Sequence, residues 1–249
     1  MNFFVQSGDI KEEYCGLSIK DLHYLKQVRR LQFSDTLTLI IDEKEYVKVS
    51  NLKFDTKGFF FKPLSQRKPC DVSRPSIALL QGLPKQEKFE EIIQSCTQIG
   101  VDQFIPIVME RTIIKWDQNK KEEKKRRWEN IAESAASQSQ RMMIPDIWPI
   151  QSFKECLQAF PFYQFDLLIV PWEEESTLCL SQYVKVFFNP ERVYKIAILI
   201  GPEGGISKGE IESLKKEGFV GISLGSTILR TENAGFFTVA QLMMAGQLL

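Results

Sequence analysis

The stretch Ile196-Ala-Ile-Leu-Ile-Gly-Pro-Glu-Gly-Gly-Ile-Ser-Lys-Gly-Glu-Ile211 decides the fold, because an apolar run passes directly into a glycine-rich turn and then a helical segment. An uninterrupted apolar run is typical of a parallel strand that is covered on both faces. Ser207 is a suitable N-cap for the helix, and Glu210 three residues later completes a capping box. The stretch predicts a strand, a turn and a helix of an α/β sheet, an arrangement suited to holding a small molecule.

A second loop follows, Leu224-Gly-Ser-Thr-Ile-Leu-Arg-Thr-Glu-Asn-Ala234, in which glycine and polar residues again separate a predicted strand from an apolar helix. It carries Arg230 and Glu232, opposite charges that would be costly to bury without partners. They are therefore either exposed, as a salt bridge at a helix start, or kept for a chemical task. Two such loops near one another indicate a site.

The glycine-rich turn Gly201-Pro-Glu-Gly-Gly205 matches neither common nucleotide-binding signature. It lacks the G-x-G-x-x-G spacing and the lysine followed by serine or threonine of a phosphate-binding loop. Pro202 removes a backbone donor, and Glu203 places negative charge near the helix N-terminus, where a phosphate would otherwise bind. An uncharged or positively charged ligand fits better, and a tight turn without a ligand is the structural alternative.

From Ser76 onward, apolar segments alternate with segments of helical periodicity, which predicts an α/β layered sheet. The predicted strands are residues 77–80, 104–108, 166–170, 196–200 and 221–224, and the predicted helices include residues 87–99, 121–142 and 234–249. Gly100 follows the first of these helices, where a helix would end. The last helix is apolar nearly all round, so it must be covered on more than one side, by a partner subunit or by the protein's own helices.

The N-terminal part reads differently, because residues 36–41, 46–52 and 59–61 are predicted strands around the polar turn at residues 42–45. These predict a small β-barrel. Residues 66–75 are polar and twice interrupted by proline, a composition suited to a linker. We therefore place a domain boundary between residues 1–70 and 71–249.

Composition narrows the class of protein. The 249 residues are 43% hydrophobic and carry no formal net charge, which argues against a nucleic-acid binder that relies on overall positive potential. Local basic patches remain: Lys26 with Arg29 and Arg30, and residues 120–127, which are either a solvated helix start with paired charges or a phosphate contact. No apolar segment reaches membrane-spanning length and the first residues do not resemble an export signal, so we expect a cytoplasmic protein.

The sequence has too few suitable residues for a metal site or a histidine-based catalytic site. The five cysteines are dispersed, as expected for reduced thiols, and His23 is the single histidine. We therefore expect no zinc site and no histidine-based triad.

Taken together, the run Leu199 to Ser207, Leu224-Gly225 and Ile228-Leu-Arg-Thr-Glu232 resemble the signature of the ribosomal RNA small-subunit methyltransferase E family, within the SPOUT superfamily of knotted methyltransferases. Further blocks resemble that family in order and spacing: residues 23–31, 81–90, 98–101, 110–112, 138–141 and Pro145. The similarity covers nearly the whole chain.

This resemblance implies a PUA-like RNA-binding β-barrel at residues 1–70 and a SPOUT α/β-knot methyltransferase domain at residues 71–249. It implies methyl transfer from S-adenosylmethionine to the imino nitrogen, position three, of a uridine in small-subunit (16S) ribosomal RNA, by a homodimer that uses no metal and no membrane. The implied cofactor-binding residues are Leu168, Val170, Pro171, Ile200, Gly201, Pro202, Glu203, Gly204, Gly205, Leu224, Gly225, Ile228 and Leu229.

The resemblance also indicates which residues act on the RNA. Arg230 would stabilise the developing uracil anion or bind the adjacent phosphate, and Glu232 would act as base or orient Arg230. The expected RNA-binding residues are Lys26, Arg29, Arg30, Arg111 and Arg141.

The chain departs from the family pattern at four positions. The family usually has arginine at the positions of Asn2 and Thr227, threonine at that of Asn233 and glutamate at that of Ser137. Loss of two arginines would weaken RNA binding if both contacted phosphate. The alternative hypothesis is therefore a non-catalytic RNA-binding or ribosome-assembly protein that keeps the knotted fold. A dinucleotide-dependent enzyme is disfavoured by the absent G-x-G-x-x-G.

Overall fold

The computed structural model describes residues 1–70, 74–85, 87–114, 116–187 and 192–245. The chain divides into two compact units, one comprising Met1–Val72 and Ala136–Ile144, the other Ser73–Ala135 and Pro145–Leu249. Residues 71–73, part of the predicted linker, lie outside the described residues, as do residues 246–249 of the last predicted helix.

The first unit is built on a mixed seven-stranded sheet. Its order is β1-β4-β5-β6-β3-β2, with β7 paired to β5, and β1 runs parallel to β4 while the other pairs are antiparallel. The strands are β1 (Asn2–Val5), β2 (Ile10–Lys11), β3 (Tyr14–Gly16), β4 (Leu37–Ile41), β5 (Glu45–Phe54), β6 (Gly58–Pro63) and β7 (Lys68–Pro69). Helix α1 (Ile19–His23) passes into a π-helical turn at Tyr24–Val28. The predictions of β4, β5 and β6 are confirmed.

The second unit is built on a parallel sheet with the order β10-β9-β8-β13-β12-β14, and β11 also pairs with β9. Its strands are β8 (Ser76–Gly82), β9 (Val101–Val108), β10 (Asp146–Ile147), β11 (Gln151–Ser152), β12 (Leu167–Pro171), β13 (Lys195–Ile200) and β14 (Val220–Ile222). The apolar β13 lies between β8 and β12, and its residues 196–200 are buried. The predicted parallel strand is therefore confirmed.

Parallel strands require crossover connections, which here are mostly helical. The helices are α2 (Lys88–Ile99), α3 (Gln118–Gln138), α4 (Phe153–Ala159), α5 (Leu180–Phe187), α6 (Lys208–Lys216) and α7 (Thr231–Ala245). Gly100 ends α2 with a φ of 116°, and Ser207 with Glu210 forms a capping box at the start of α6. Both predictions from local sequence are confirmed.

Helix α3 begins and ends earlier than residues 121–142, the predicted bounds. Asp117 accepts a hydrogen bond from the Lys120 amide at 2.8 Å and so caps the helix three residues earlier. At the other end Gln140 adopts a left-handed φ of 59°, and the Arg141 amide donates to the Ala136 carbonyl at 2.9 Å, which closes the helix.

The basic run on α3 is largely paired. Lys120 pairs with Glu123, Lys125 with Glu129, and both Lys124 and Arg127 with Glu90 of α2. The geometry favours paired charges on a solvated helix for this run.

Within the part of the chain that the structure describes, no helix is both long and apolar enough to cross a membrane. Nor do three or more histidine, cysteine, aspartate or glutamate residues gather there in a group that could hold a metal ion.

Candidate functional site

A cleft of about 940 Å³ opens at the carboxyl ends of β12, β13 and β14. Parallel α/β sheets bind their ligands at this end of the strands, and the volume is within the range of small-molecule sites. The lining residues are Lys88, Pro171, Trp172, Glu173, Glu175, Ser176, Ile200, Gly201, Pro202, Glu203, Gly204, Gly205, Ile206, Ser223, Leu224, Gly225, Ser226, Thr227, Ile228, Leu229, Arg230, Thr231 and Ala234.

The glycine-rich loop, residues 201–206, is shaped by close packing. A Cβ added to Gly201 would lie 2.6 Å from Ile206 Cγ1, and one added to Gly205 would meet Glu173 Oε1 at the end of its flexible side chain. Gly205 also has a φ of +73°, and its amide donates to the Pro202 carbonyl at 2.9 Å. Gly205 is therefore required by its backbone conformation, and Gly201 by the close approach of Ile206.

The second wall is the 223–230 loop, which leads into α7. Thr231 at the helix start is buried, and its hydroxyl donates to the Gly201 carbonyl at 2.6 Å. Gln81, at the end of β8, donates from Nε2 to that hydroxyl and to the Gly82 carbonyl, each at 2.9 Å. A buried chain of hydrogen bonds therefore joins β8, the glycine-rich loop and the start of α7.

Neither Thr231 nor Gln81 was predicted as a site residue. Both stand in the sequence blocks that resemble the family, and Gln81 is a polar residue that directly follows the apolar run of β8. A buried glutamine at the end of such a strand was the available signal, since a buried amide requires partners.

Lys88 of α2 makes a second link between the two walls, at the rim of the cleft. Its ammonium lies 3.5 Å from Glu203 Oε1 in the glycine-rich loop and 3.3 Å from Glu232 Oε1 in α7. The Lys85 amide donates to both carboxylate oxygens of Glu203, at 3.0 and 3.1 Å. Sequence analysis missed Lys88, because nothing local distinguishes it from other lysines at a helix start.

Arg230 and Glu232 have different environments. Arg230 is exposed and lines the cleft, whereas the Glu232 side chain is only 15% exposed and pairs with Lys88. Desolvation raises the pKa of Glu232, but its own backbone amide, the Lys88 ammonium and the Arg230 charge together hold that pKa below its usual range. Glu232 is therefore ionised at neutral pH.

The third wall starts at the end of β12. Pro171 lines the cleft, but Leu168 and Val170 do not belong to its lining. Val170 is fully buried in the core of this unit, and Leu168 packs against the same core. The cleft lies beyond the end of the strand, so side chains earlier along β12 pack into the core. The residues after the strand that form the wall are Trp172, Glu173, Glu175 and Ser176.

Comparison with known proteins identifies the family. Residues 72–243 match the model of the RNA methyltransferase domain. The chain is 34% identical over 174 residues to ribosomal RNA small subunit methyltransferase E of Bacillus subtilis, which covers 70% of this chain and 67% of that relative. It is 32% identical over 240 residues to the Synechocystis protein of the same name, with coverage of 96% and 75%. This chain belongs to the ribosomal RNA small subunit methyltransferase E family.

Solved structures of similar proteins have the same fold as this chain. A protein from Legionella pneumophila, described as a methyltransferase in complex with the bound cofactor SAM, superposes with a TM-score of 0.80 at 26% identity, covering 98% of this chain and 97% of that one. Methyltransferase E from Neisseria gonorrhoeae, bound to S-adenosyl methionine, superposes with a TM-score of 0.79 at 22% identity, covering 98% and 96%. The α/β fold with one mixed and one parallel sheet is therefore that of the methyltransferase E family.

Most of the cofactor-binding residues predicted from the methyltransferase E resemblance lie together. Those that line the cleft are Pro171, Ile200, Gly201, Pro202, Glu203, Gly204, Gly205, Leu224, Gly225, Ile228 and Leu229. Leu168 and Val170 lie in the core, as described above. Contact with a cofactor stays a prediction for each of them.

The residues predicted from the methyltransferase E pattern to bind RNA are divided between the two units. Arg111 belongs to the second, is exposed, and donates from Nη1 to the Gly204 carbonyl at 2.9 Å. The other four belong to the first. Lys26 is exposed, Arg30 adopts a left-handed φ of 53°, and the Arg141 carbonyl accepts the Asn2 amide group at 2.9 Å. Arg29 donates from Nε to the Tyr24 hydroxyl at 2.6 Å.

Two departures from the methyltransferase E pattern meet in the first unit. Asn2 and Ser137 are both buried, and the Ser137 hydroxyl donates to the Asn2 carbonyl. In this chain the Asn2 position is 3% exposed, and its side-chain amide donates to the Arg141 carbonyl at 2.9 Å. A weakening of RNA binding through the missing arginine at this position stays a prediction. Thr227, in contrast, is exposed and lines the cleft, while Asn233 is exposed on α7.

Proposed function

We propose that this protein transfers a methyl group from S-adenosylmethionine to the imino nitrogen, position three, of a uridine in small-subunit ribosomal RNA. One observation supports this most directly. The two loops that carry the methyltransferase E signature are hydrogen-bonded to each other through Thr231 and Gly201, and together they line a single cleft. The names of the relatives supply the substrate class, ribosomal RNA.

The charges of the cleft suit this cofactor. Its lining carries three carboxylates, from Glu173, Glu175 and Glu203, against the two cations of Lys88 and Arg230. Pro202 has no amide proton to offer at the point where a phosphate would bind. A ligand that carries positive charge and no phosphate fits such a surface, and S-adenosylmethionine has a sulfonium and no phosphate.

The bound cofactor would supply an activated methyl group, so the protein's own contribution is alignment and charge stabilisation. When bound, the cofactor would supply the methyl carbon to the uracil nitrogen and keep the electron pair of its broken sulfur–carbon bond as a neutral thioether, and the imino proton would leave to water. Arg230, an exposed cation in the lining, stabilises the negative charge that develops on the uracil. A guanidinium can do so without changing its own protonation state.

Of the two roles open to Glu232, the geometry favours orientation over proton transfer. Its carboxylate pairs with Lys88 at 3.3 Å, and Glu232 is not one of the described residues that line the cleft. A general base has to reach the proton that it removes. Glu232 therefore holds Lys88 in place and compensates the charge of Arg230, two residues before it in the chain.

We further propose the finer fold and domain assignment: a PUA-like RNA-binding barrel at residues 1–70 and a SPOUT domain with a trefoil knot at residues 71–249. The return of the chain after β14, which brings Thr231 against the end of β13, supports the knot. Lys26, Arg29, Arg30, Arg111 and Arg141 would position the RNA backbone, and the target uridine would be exposed or flipped into the cleft.

A homodimer is part of the proposal. Helix α7 buries Val239, Leu242 and Met243, and yet leaves Phe236 39%, Phe237 38% and Met244 67% exposed. Apolar side chains on two sides of one helix require a second cover, and a further copy of the chain supplies it.

The second candidate is a non-catalytic RNA-binding or ribosome-assembly protein, favoured by the uncharged Thr227 in the cleft lining. Calorimetry with S-adenosylmethionine separates the two, because the enzyme must bind the cofactor. Methyl transfer is then followed on small-subunit particles, and the modified nucleotide is mapped by mass spectrometry. Binding followed by a new N3-methyluridine supports the enzyme, whereas binding without transfer supports the second candidate. If the protein does not bind S-adenosylmethionine, the proposal that it is a methyltransferase is wrong.

A further inference from the structure

We propose that Lys88 is a positioning residue that fastens the glycine-rich loop to the start of α7 and thereby sets the geometry of the cleft. The proposal rests on the proposed function for its consequence in catalysis, although the link itself is a property of the free protein. Lys88 comes from α2, an element of the fold that precedes both loops in the chain. It acts through Glu203 and Glu232 and needs no contact with the reacting atoms.

The link has three members, one from each of three segments. The Lys88 ammonium lies between Glu203 Oε1 at 3.5 Å and Glu232 Oε1 at 3.3 Å. The side chains of Lys88, Glu203 and Glu232 are 28%, 26% and 15% exposed. Because these side chains are partly shielded from water, their ion pairs are stronger than a fully exposed pair. They remain accessible enough to solvent to break and re-form.

One cation between two carboxylates has a particular consequence. Removing the Lys88 ammonium breaks two ion pairs. It also leaves the carboxylates of Glu203 and Glu232 without the cation between them, so the two negative charges would repel each other and separate the two walls. The carboxylate of Glu203 also receives the Lys85 amide at 3.0 Å, so release of Glu203 would loosen that amide as well.

The buried link made by Thr231 and Gly201 does not make Lys88 redundant. That hydrogen bond holds the loops together on their inner side, 6% exposed at Thr231. Lys88 holds them at the rim, close to Arg230, whose carbonyl accepts the amides of Asn233 and Ala234 at 2.9 Å each. The position of Arg230 over the cleft therefore depends on the first turn of α7, which Lys88 anchors through Glu232.

Hydrogen exchange on the full-length protein without cofactor tests the link directly. In Lys88→Met, we expect the amides of Lys85, Asn233 and Ala234 to exchange about fivefold faster or more, because both walls are released. In Glu203→Ala, we expect the increase at Lys85 and in the glycine-rich loop, with Asn233 and Ala234 unchanged. Lys88→Arg keeps both ion pairs and should restore the wild-type pattern.

The matched control is Lys154→Met, which removes one exposed lysine from α4 of the same unit. It should leave exchange at the two walls unchanged. Unchanged exchange at both walls in Lys88→Met overturns the proposal, and so does faster exchange in the Lys154 control. If Lys88→Met fails to fold, Lys88→Gln, which removes the charge but keeps a polar side chain, takes its place, and unchanged exchange at both walls in that variant again overturns the proposal.

Cofactor binding and methyl transfer then show the functional consequence. Calorimetry should show about tenfold weaker binding of S-adenosylmethionine to Lys88→Met, with rescue by Lys88→Arg. The transfer rate at saturating cofactor should fall further, because Arg230 is misplaced. If the wild-type protein does not bind the cofactor, the proposed function fails while the exchange data still decide whether Lys88 joins the two loops.

Discussion

The hydroxyl of Thr231 donates a hydrogen bond of 2.6 Å to the carbonyl of Gly201, which lies 30 residues earlier in the chain. The same hydroxyl accepts the amide group of Gln81, so one buried side chain satisfies polar groups of two other segments. Because unpaired buried polar groups are costly, this arrangement holds the start of α7 against the glycine-rich loop.

Thr231→Val tests that connection. The substitution keeps the shape but removes the hydroxyl that donates to the Gly201 carbonyl and accepts from the Gln81 amide, so two buried hydrogen bonds are lost. We therefore expect a loss of about 1–3 kcal/mol in unfolding free energy. Affinity for S-adenosylmethionine should fall with it, as measured by urea denaturation and calorimetry. Thr238→Val is the control, because its hydroxyl bonds only locally, to the Ala234 carbonyl of the same helix. A Thr231 variant with unchanged affinity would contradict the expectation.

Gly205→Ala should distort the glycine-rich loop. The added Cβ would meet Glu173 Oε1, and the φ of +73° is unfavourable for alanine, so we expect destabilisation of about 1 kcal/mol or more and weaker cofactor binding. Gly209→Ala in α6 is the matched control. A Cβ there has nothing within 4 Å, and alanine is the better helix former, so thermal stability should rise slightly. Equal effects of the two substitutions would argue against the loop geometry.

Arg230→Ala should abolish most methyl transfer while retaining most cofactor affinity, because the exposed guanidinium acts on the uracil. Glu232→Gln separates the two roles of that residue. An orienting carboxylate predicts a fall of about tenfold in transfer rate, whereas a general base predicts a fall of about 100-fold or more. Single-turnover kinetics measure the rate of methyl transfer in each variant, and calorimetry measures its affinity for the cofactor. Parallel loss of cofactor affinity in Arg230→Ala would show that the arginine serves the cofactor instead.

The lowered pKa of Glu232 predicts a dependence of stability on pH. A carboxylate whose pKa is depressed by folding stabilises the protein above its unfolded pKa, about 4.3, and loses that contribution as the pH falls through the folded value. Wild type should therefore exceed Glu232→Gln in unfolding free energy at pH 7, and the difference should shrink toward zero below about pH 4. Urea denaturation of both proteins across this range measures it. A difference that grows on acidification would contradict the assignment.

The exposed apolar side chains of α7 predict a dimer. Light scattering at micromolar concentration should give twice the mass of one chain, and Phe237→Glu should shift the protein toward monomer because a charge would have to be buried in the interface. Tyr163→Glu, at a side chain that is 87% exposed, is the control and should stay dimeric. A monomeric wild type would remove the homodimer from the proposal.

Local features of the site could be predicted from the sequence. The strand at β13, the capping box at Ser207, the helix end at Gly100 and the loop around Arg230 all follow from short-range rules. They could be predicted because caps, turns and periodicity involve residues within a few positions of each other. The short strands β10 and β11 escaped prediction, since two residues carry no periodicity.

The sequence by itself determined the alternation of the longer strands and helices after Ser76, the glycine-rich turn, the scarcity of metal ligands and the family to which the chain belongs. Only the tertiary structure decided that Thr231 bonds Gly201, that Lys88 joins Glu203 to Glu232, and that Asn2 is buried against Ser137. These contacts join residues up to 144 positions apart, as between Lys88 and Glu232. Such partners are set by the packing of strands and helices, and the local sequence around either residue does not specify the other.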